Sequence, residues 1–521
     1  MTLSAEQARK QTLDKDLDKI VSVEEAAGVI SRGLVGPGLS LLFIAMVAVI
    51  ASIYVSGEPG AVVIVAAAAV GGYMALNIGA NDVANNVSAA VGARALTLGS
   101  ALILAAIFET AGALIAGGDV VDTISKGIID PSQVADSNAF IRLMLGALIS
   151  SALWINLATW IGAPVSTTHS VVGGVLGAGI AAAGFGSVDW SVMAAIAASW
   201  VISPLAGGVI AAVFLFFIKS VIIYQDDKIA AAKRWVPILI GIMAGTFTTY
   251  LATKGLGHLV DFDRTTLLAL AGGSTTIFWL VAHRFVAWQA IGMENRNQSL
   301  RKLFRLPLVI SAALLSFAHG ANDVANAVGP LAAIVAAAQS GSMSSQVGIP
   351  LWVMLIGAAG ISIGLLLFGP KLIRMVGEQI TKLNPMRAFC VALSAALTVI
   401  VASGLGLPVS STHIAVGAVF GVGFFREWYT ANSSRRRAYL ERKMNRRRAE
   451  REAAGVVAAR VLADEADLDI DSLQPVSRDE ITRRNLVRRA HVRTIVAAWV
   501  TTVPASAILA VAAFHLIGLV W

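Results

Sequence analysis

The chain has 521 residues, of which 56% are hydrophobic and 14% are charged, and its mean hydropathy is +0.74. Soluble domains carry roughly 25% charged residues, so the composition excludes an ordinary soluble protein and indicates a polytopic membrane protein. The net charge of +8 is unevenly distributed along the chain, and membrane topology explains it better than nucleic-acid binding. The single cysteine, Cys390, excludes an intrachain disulfide.

Residues 1–37 are polar and mixed in charge, and we interpret them as a cytoplasmic N-terminal arm without a cleavable signal. Thirteen apolar runs follow, and each is a candidate helix because about 20 residues cross the ~30 Å of hydrocarbon in a bilayer. They are 39–55, 61–80, 97–117, 139–161, 164–184, 192–218, 236–253, 266–282, 306–338, 348–368, 388–404, 409–425 and 494–520. The sequence therefore predicts an all-α polytopic membrane protein with about 12–13 transmembrane or re-entrant helices.

Charge predicts the orientation of these helices. The segments 219–235, 283–305 and 426–493 are rich in Lys and Arg, and 426–493 alone carries 17 of them against 11 Asp and Glu. The positive-inside rule places all three in the cytoplasm, and the extra run at 39–55 then places the N-terminus there as well. We expect a multi-pass protein of the plasma membrane, which is the inner membrane in a bacterium.

Two motifs occur twice. Gly79-Ala-Asn-Asp-Val-Ala-Asn85 returns as Gly320–Asn326 at an offset of 320 − 79 = 241, and Pro164-Val-Ser-Thr-Thr-His169 matches Pro408–His413 at an offset of 408 − 164 = 244. Two motifs at nearly one offset indicate a duplication. The equivalent loops 118–138 and 370–387 are acidic and basic respectively, so they should face opposite sides of the membrane. This arrangement predicts two inverted-topology repeats, a common plan of secondary transporters.

The predicted organisation follows from the repeats and the loops. It consists of the arm 1–37, an extra N-terminal transmembrane helix in 38–60, a first transport repeat in 61–218, connecting helices and basic loops in 219–305, a second transport repeat in 306–425, a basic cytoplasmic loop in 426–493 and a C-terminal transmembrane helix in 494–521.

The motifs have a chemistry that suits ions. Proline followed by hydroxyl residues predicts a helix start inside the membrane, and helix N-termini attract anions such as phosphate and sulfate. The other motif offers carboxylate and amide oxygens, which suit hard cations or protons. One Asp in a membrane helix costs ~2.5–3.5 kcal/mol, so its presence in both halves favours function over a purely structural role in helix packing.

The paired motifs resemble those of the Pit family of inorganic phosphate transporters, over roughly residues 61–520. The resemblance implies two inverted repeats around a central phosphate site, with symport of sodium or protons. It implies that the site is lined by Asp82, Ser166, Thr167, Thr168, Asp323, Ser410, Ser411 and Thr412. The segment around Glu109 also matches the family. Several members carry a second Glu where this chain has Ala392.

For cation coupling we expect an oxygen cluster that could bind sodium, made of Asn81, Asn85, Glu109, Asn322 and Asn326 together with the two aspartates. The expected partners are inorganic phosphate, sodium or protons and the lipid bilayer, with a homodimer as the expected assembly. We expect no cofactor, no nucleic acid and, since no P-loop is present, no ATP.

Three other functions stay open from the sequence. One is a sulfate permease of the same fold. Another is an intramembrane hydrolase in which Ser166 or Ser410 works with a His, although no Gly-x-Ser-x-Gly elbow surrounds either serine. The third is a phosphate sensor with little transport. Because a catalytic constellation is seldom needed twice in mirror orientation, we expect a transporter and not an enzyme.

Overall fold

A computed structural model describes residues 34–82, 84–163, 165–257, 260–340, 348–379, 383–446, 448 and 489–521. Within these ranges the chain is helical and contains no β-strand. The main helices are α1 (Leu34–Tyr54), α2 (Ala61–Asn81), α3 (Ala84–Gly92), α4 (Leu98–Ala116), α5 (Ser137–Ile161), α6 (Thr167–Ala183), α7 (Trp190–Ile218), α8 (Lys228–Tyr250), α9 (Arg264–Gln289), α10 (Arg305–Asp323), α11 (Ala325–Ser340), α12 (Leu351–Gln379), α13 (Pro385–Gly404), α14 (Ser411–Asn432) and α15 (Arg489–Val520).

The all-α membrane architecture predicted from the sequence is confirmed. Every one of the thirteen apolar runs contains a helix, and eleven helical segments of the described ranges are long and apolar enough to cross a membrane. The run 306–338 contains two helices, α10 and α11. The arm 1–37, apart from its last residues, and most of the loop 426–493 lie outside the described residues, and the predicted domain boundaries stay predictions.

Glycines allow the central helices to touch backbone to backbone. A Cβ added to Gly79 on α2 would overlap the carbonyl oxygen of Ile361 on α12, and one added to Gly320 on α10 would overlap that of Glu109 on α4. Small residues permit this close approach between helices in a membrane. Since Gly79 and Gly320 belong to the two motif copies, both copies are held against the opposite half of the chain in the same way.

The two halves also exchange helices. A Cβ on Gly177 of α6 would overlap the backbone of Ala507 on α15, and one on Gly421 of α14 would overlap that of Gly208 on α7. Thus α7, the helix after α6 in the chain, packs against α14 of the other half, and α15, the helix after α14, packs against α6. The exchange links the halves through their cores, so neither is expected to be stable alone.

Equivalent residues of the two halves meet each other. The rings of His169 and His413 lie 4.4 Å apart, and the hydroxyls of Thr110 and Ser362 are hydrogen-bonded at 2.7 Å. Residues that meet their own equivalents lie on an approximate two-fold axis between the halves. These contacts support the duplication, while the opposite membrane orientation of the repeats stays a prediction.

Candidate functional site

Each copy of the Gly-Ala-Asn-Asp motif ends one helix and begins the next, and its Asp lies at the break. Asp82 follows the last residue of α2, and Asp323 is the last residue of α10. Both side chains are buried, with 2% and 1% of their surface exposed. Burying a carboxylate is costly unless it is paired and hydrogen-bonded, so the partners of these two groups determine what the site can bind.

Ser166 and Ser410 are the N-caps of α6 and α14. The Ser166 hydroxyl oxygen accepts the backbone N–H of His169 at 3.1 Å, and the Ser410 hydroxyl oxygen accepts that of His413 at 3.3 Å. The predicted helix starts are therefore present and buried inside the protein, although Pro164 itself lies outside the described residues. Each hydroxyl keeps its hydrogen for another acceptor, such as an anion at the helix start.

The Asp82 carboxylate accepts hydrogen bonds from hydroxyl groups of both halves of the chain. Thr167 donates to its Oδ2 at 2.5 Å, and Thr412, from the other half of the chain, donates to its Oδ1 at 2.9 Å. The Thr412 hydroxyl also accepts from the Asn85 amide at 2.9 Å. One hydroxyl thus joins a carboxylate and an amide of the first half to a helix start of the second.

The second half repeats this pattern only in part, because Thr168, the equivalent of Thr412, donates to a backbone carbonyl and not to Asp323. Asp323 accepts from Ser411 at 3.2 Å, and the amide of Asn326 donates to Thr168 at 3.2 Å and to Thr167 at 3.4 Å. Thr168 in turn donates to the backbone carbonyl of Val409 at 3.1 Å. Each acidic motif is therefore bonded to the hydroxyl motif of its own half through the Asp and to that of the other half through an Asn.

Asn81 and Asn322 support the carboxylates. Their amides face the hydroxyls of Thr159 at 2.9 Å and Ser403 at 2.8 Å. When the amide oxygen accepts from that hydroxyl, both amide atoms are satisfied, and the nitrogen lies 3.3 Å from Asp82 Oδ1 or 3.0 Å from Asp323 Oδ1. In this orientation the two amides hold the carboxylates in place, and their expected role as cation ligands stays a prediction.

Glu109 is connected to Asp323 through His319. His319 Nδ1 lies 3.1 Å from Glu109 Oε1, and His319 Nε2 lies 2.7 Å from Asp323 Oδ2. Asn86 donates a further hydrogen bond to Glu109 Oε1 at 2.8 Å. Because both ring nitrogens face carboxyl oxygens, either the imidazole carries two protons or one of the carboxyl groups carries one.

Asp82, His319 and Asp323 form a buried cluster whose ligand atoms all lie within 4.8 Å of one another, a geometry that could hold a cation. Carboxylate oxygens suit sodium or a proton, and an imidazole nitrogen suits a proton or a softer metal. Two carboxylates this close repel each other, so a cation between them lowers the energy of both.

The structure brings the carboxylates and amides together with the hydroxyls of Thr167, Thr168, Ser411 and Thr412 through one connected set of contacts, with Glu109 joined to it by His319. The Ser166 and Ser410 hydroxyls instead accept from the backbone of their own helices. Reasoning from the sequence missed His319 and Asn86. A signal for His319 was present, because a His four residues before an Asp lies on the same face of a helix, three or four residues being one turn. No comparable signal marked Asn86 as the partner of Glu109.

Comparison with known proteins identifies relatives of this chain. The model of a phosphate transporter family matches residues 78–510. A Helicobacter pylori protein named "Putative phosphate permease" is 44% identical over 97% of this chain and 99% of its own. A Pyrococcus furiosus protein of the same name is 40% identical over 68% of this chain and 85% of its own. A solved structure titled "The sodium-dependent phosphate transporter" is 32% identical, covers 88% of this chain and 100% of its own, and superposes with a TM-score of 0.74.

These relatives are permeases and transporters, which confirms that the chain is not an enzyme and leaves the hydrolase hypothesis without support.

Proposed function

Because the chain belongs to the phosphate transporter family, we propose that it carries inorganic phosphate by symport with sodium or protons, through alternating access to the site between Asp82 and Asp323. The observation that carries the proposal is the placement of two capped helix starts beside two buried carboxylates. The helix starts favour an anion, and the carboxylates favour a cation.

Electrostatics couples the two ions. A unit negative charge 5 Å from a carboxylate costs ~3 kcal/mol at an effective dielectric constant of 20, and a dianion costs about twice that. A cation at a similar distance from the anion contributes an attraction that offsets the repulsion from one carboxylate. Phosphate and cation therefore each raise the affinity of the site for the other, and this reciprocal coupling is what symport requires.

Hydrogen bonding favours phosphate over sulfate. Near pH 7 phosphate carries at least one hydrogen, whereas sulfate carries none, and the carboxylates of Asp82 and Asp323 can accept that hydrogen. Sulfate would leave these acceptors facing another acceptor, which is unfavourable in a buried site. We therefore expect phosphate to compete for uptake better than sulfate.

The identity of the cation is the next part of the proposal. The solved relative is described as sodium-dependent, and the carboxylate and amide oxygens of the cluster suit sodium. His319 beside Asp323 offers a proton acceptor in the same place. We propose sodium as the main coupling ion, with no resident cofactor.

The proposed setting is the plasma membrane, with the N-terminus in the cytoplasm. The positive-inside rule supports this orientation through the basic segments 219–235, 283–305 and 426–493. A homodimer is proposed as the assembly.

The test is uptake of labelled phosphate into proteoliposomes under sodium and pH gradients imposed separately. Asp82→Asn and Asp323→Asn keep size and some hydrogen bonding but remove the charge, so each should insert and lose most cation-driven uptake. The matched control is Asp261→Asn, which removes an exposed carboxylate far from the site in the sequence. Wild-type uptake by either site variant, or uptake of sulfate that phosphate does not inhibit, would overturn the proposal.

A further inference from the structure

Trp200 on α7 lies between the two hydroxyl motifs, and the site described above gives it no role. Its indole N–H donates a hydrogen bond to the backbone carbonyl of Pro408 at 3.1 Å, two residues before the N-cap of α14. Its ring packs on the ring of His169 in the first turn of α6, with the centroids 3.8 Å apart. One side chain therefore contacts the segments that begin both capped helices.

The helices α7 and α14 are in such close contact that Trp200 is expected to follow α14 in any movement. A Cβ added to Gly417 of α14 would overlap the carbonyl oxygen of Pro204, which lies one helical turn after Trp200. A second contact of the same kind joins the two helices one turn further on. Helices whose backbones touch cannot slide past each other without breaking their packing. The contact between Trp200 and His169 therefore crosses from the pair α7 and α14 to the start of α6.

Two donors of the first half fix the backbone that enters α14. The Pro408 carbonyl accepts from Trp200, and the carbonyl of the next residue, Val409, accepts from the Thr168 hydroxyl at 3.1 Å. Both carbonyl-bearing residues are buried, and a buried carbonyl without a donor costs free energy. The two hydrogen bonds therefore fix the course of the chain before Ser410, and with it the direction of the free N–H groups at the start of α14.

The tryptophan belongs to the duplication. Gly208 on α7 and Ala507 on α15 make equivalent backbone contacts with α14 and α6, which aligns the two helices at an offset of 507 − 208 = 299. At this offset the sequence pairs Trp200 with Trp499, and a valine follows each of them. A side chain present in both copies of a repeat indicates a role that the two copies share.

We propose that Trp200 is a positioning residue for the transported anion, which holds the helix starts of α6 and α14 at the separation where both donate hydrogen bonds to one phosphate. The inference rests on the proposed function, because it requires phosphate to bind between these helix starts. Donors that are already in place bind a ligand more tightly, since no free energy is lost in ordering them. Trp200 acts through the Pro408 carbonyl and the His169 ring and does not itself contact phosphate.

The test measures equilibrium binding of labelled phosphate to the full chain in nanodiscs at one fixed sodium concentration. Trp200→Phe keeps an aromatic ring beside His169 but removes the indole N–H. We expect its Kd for phosphate to rise roughly tenfold, which corresponds to the loss of one hydrogen bond, with the number of binding sites unchanged. In proteoliposomes the KM for phosphate should rise in the same proportion and the maximal rate should be retained, because the change affects binding and not the later steps.

A second replacement and a matched control isolate the N–H group. Replacing Trp200 by 3-benzothienylalanine keeps the bicyclic ring and puts sulfur in place of the N–H, so it should raise the Kd as Trp200→Phe does without loss of packing. The control is Trp190→Phe. Trp190 begins the same helix, and its indole N–H also donates to a backbone carbonyl, that of Phe185 at 3.2 Å, but this bond lies outside the site. We expect the control to bind phosphate with the wild-type Kd.

The outcomes separate this inference from the proposed function. A wild-type chain that does not bind phosphate would refute the proposed function, and the positioning role with it. If the wild type binds phosphate and both replacements of Trp200 keep its Kd, the positioning role alone is overturned. Fewer binding sites at the wild-type Kd would overturn it as well, because a tryptophan that only stabilises the fold changes the amount of active protein and not its affinity.

Discussion

Replacing Thr412 with valine tests the bridge between the two halves of the chain. Valine has nearly the shape of threonine but no hydroxyl group. The change removes the hydrogen bond to Asp82 Oδ1 at 2.9 Å and takes away the acceptor that the Asn85 amide contacts at 2.9 Å. All three side chains are buried, so water does not readily replace either contact.

The expected effect is large for one deleted oxygen atom. A hydrogen bond to a charged group contributes about 1.5–3 kcal/mol, and a buried amide left without its acceptor costs about 1–3 kcal/mol. Neighbouring groups adjust, and such contributions are not additive. We therefore expect Thr412→Val to destabilise the site geometry seen in this structure by roughly 3 kcal/mol. That corresponds to about a hundredfold change in an equilibrium constant.

The assay measures thermal unfolding in detergent and initial rates of phosphate uptake in proteoliposomes for the same preparations. The matched control is Thr398→Val. Thr398 is also buried, but its hydroxyl donates only to the Ser394 carbonyl of its own helix at 2.8 Å. We expect the control to stay within ~1 kcal/mol of the wild type and Thr412→Val to lose both stability and uptake.

A double-mutant cycle with Asn85→Ala separates the two parts of the effect. If the Asn85 amide is left without an acceptor in Thr412→Val, adding Asn85→Ala should cost less than it does in the wild type, with a coupling of about 1 kcal/mol or more. The reasoning is refuted if Thr412→Val behaves like Thr398→Val in both assays, because the bridge would then contribute nothing measurable.

Three further predictions concern the ion pair, the helix contact and the topology. His319→Gln leaves one of its two carboxylate partners without a donor, and since breaking a buried pair costs about 3–5 kcal/mol, uptake should fall at least tenfold; unchanged uptake would contradict this role. Gly320→Ala overlaps a backbone carbonyl of α4 and should lower the free energy of unfolding by ~1–3 kcal/mol or more, and with it the unfolding midpoint, whereas Gly272→Ala, which meets open space, should not; equal midpoints would contradict the close contact. Ser132→Cys and Lys382→Cys, in a background without the native cysteine, should react with an impermeant reagent from opposite sides, and labelling from one side would refute inverted repeats.

The sequence is sufficient to predict the helices and to single out the two motifs that the structure brings together, for physical reasons. A bilayer requires long apolar runs, so α5, α7 and α9 are visible from composition alone. Two polar motifs repeated inside apolar runs stand out because their residues are expensive there. The capping roles of Ser166 and Ser410 follow from the preference of helix starts for hydroxyl residues.

The pairing inside the site could not be predicted from the sequence. The bond from Asn85 to Thr412 joins residues 327 positions apart, and its existence depends on how the two halves pack. The same is true of the contact between Glu109 and His319, which requires Gly320 to bring α10 against the backbone of α4. Motif composition predicts which groups assemble, whereas tertiary packing decides which oxygen meets which hydrogen.

The two halves are similar in packing but not in chemistry, and one difference lies at a pair of equivalent helix contacts. Where α10 meets α4, His319 faces Glu109; at the equivalent place, where α2 meets α12, the chain has Ile78 and Ile361, both buried. If transport exchanges the conformations of two inverted repeats, as we propose, the charged contact and the apolar contact exchange environments as well. We then expect the inward-facing and outward-facing states to differ in energy by the cost of moving this hydrogen-bonded polar contact between the two environments, which would make the cycle asymmetric even without a gradient. Ligands that bind at Asp323 act directly on that pair, since His319 contacts both carboxylates, and cation binding can therefore shift the balance between the two states.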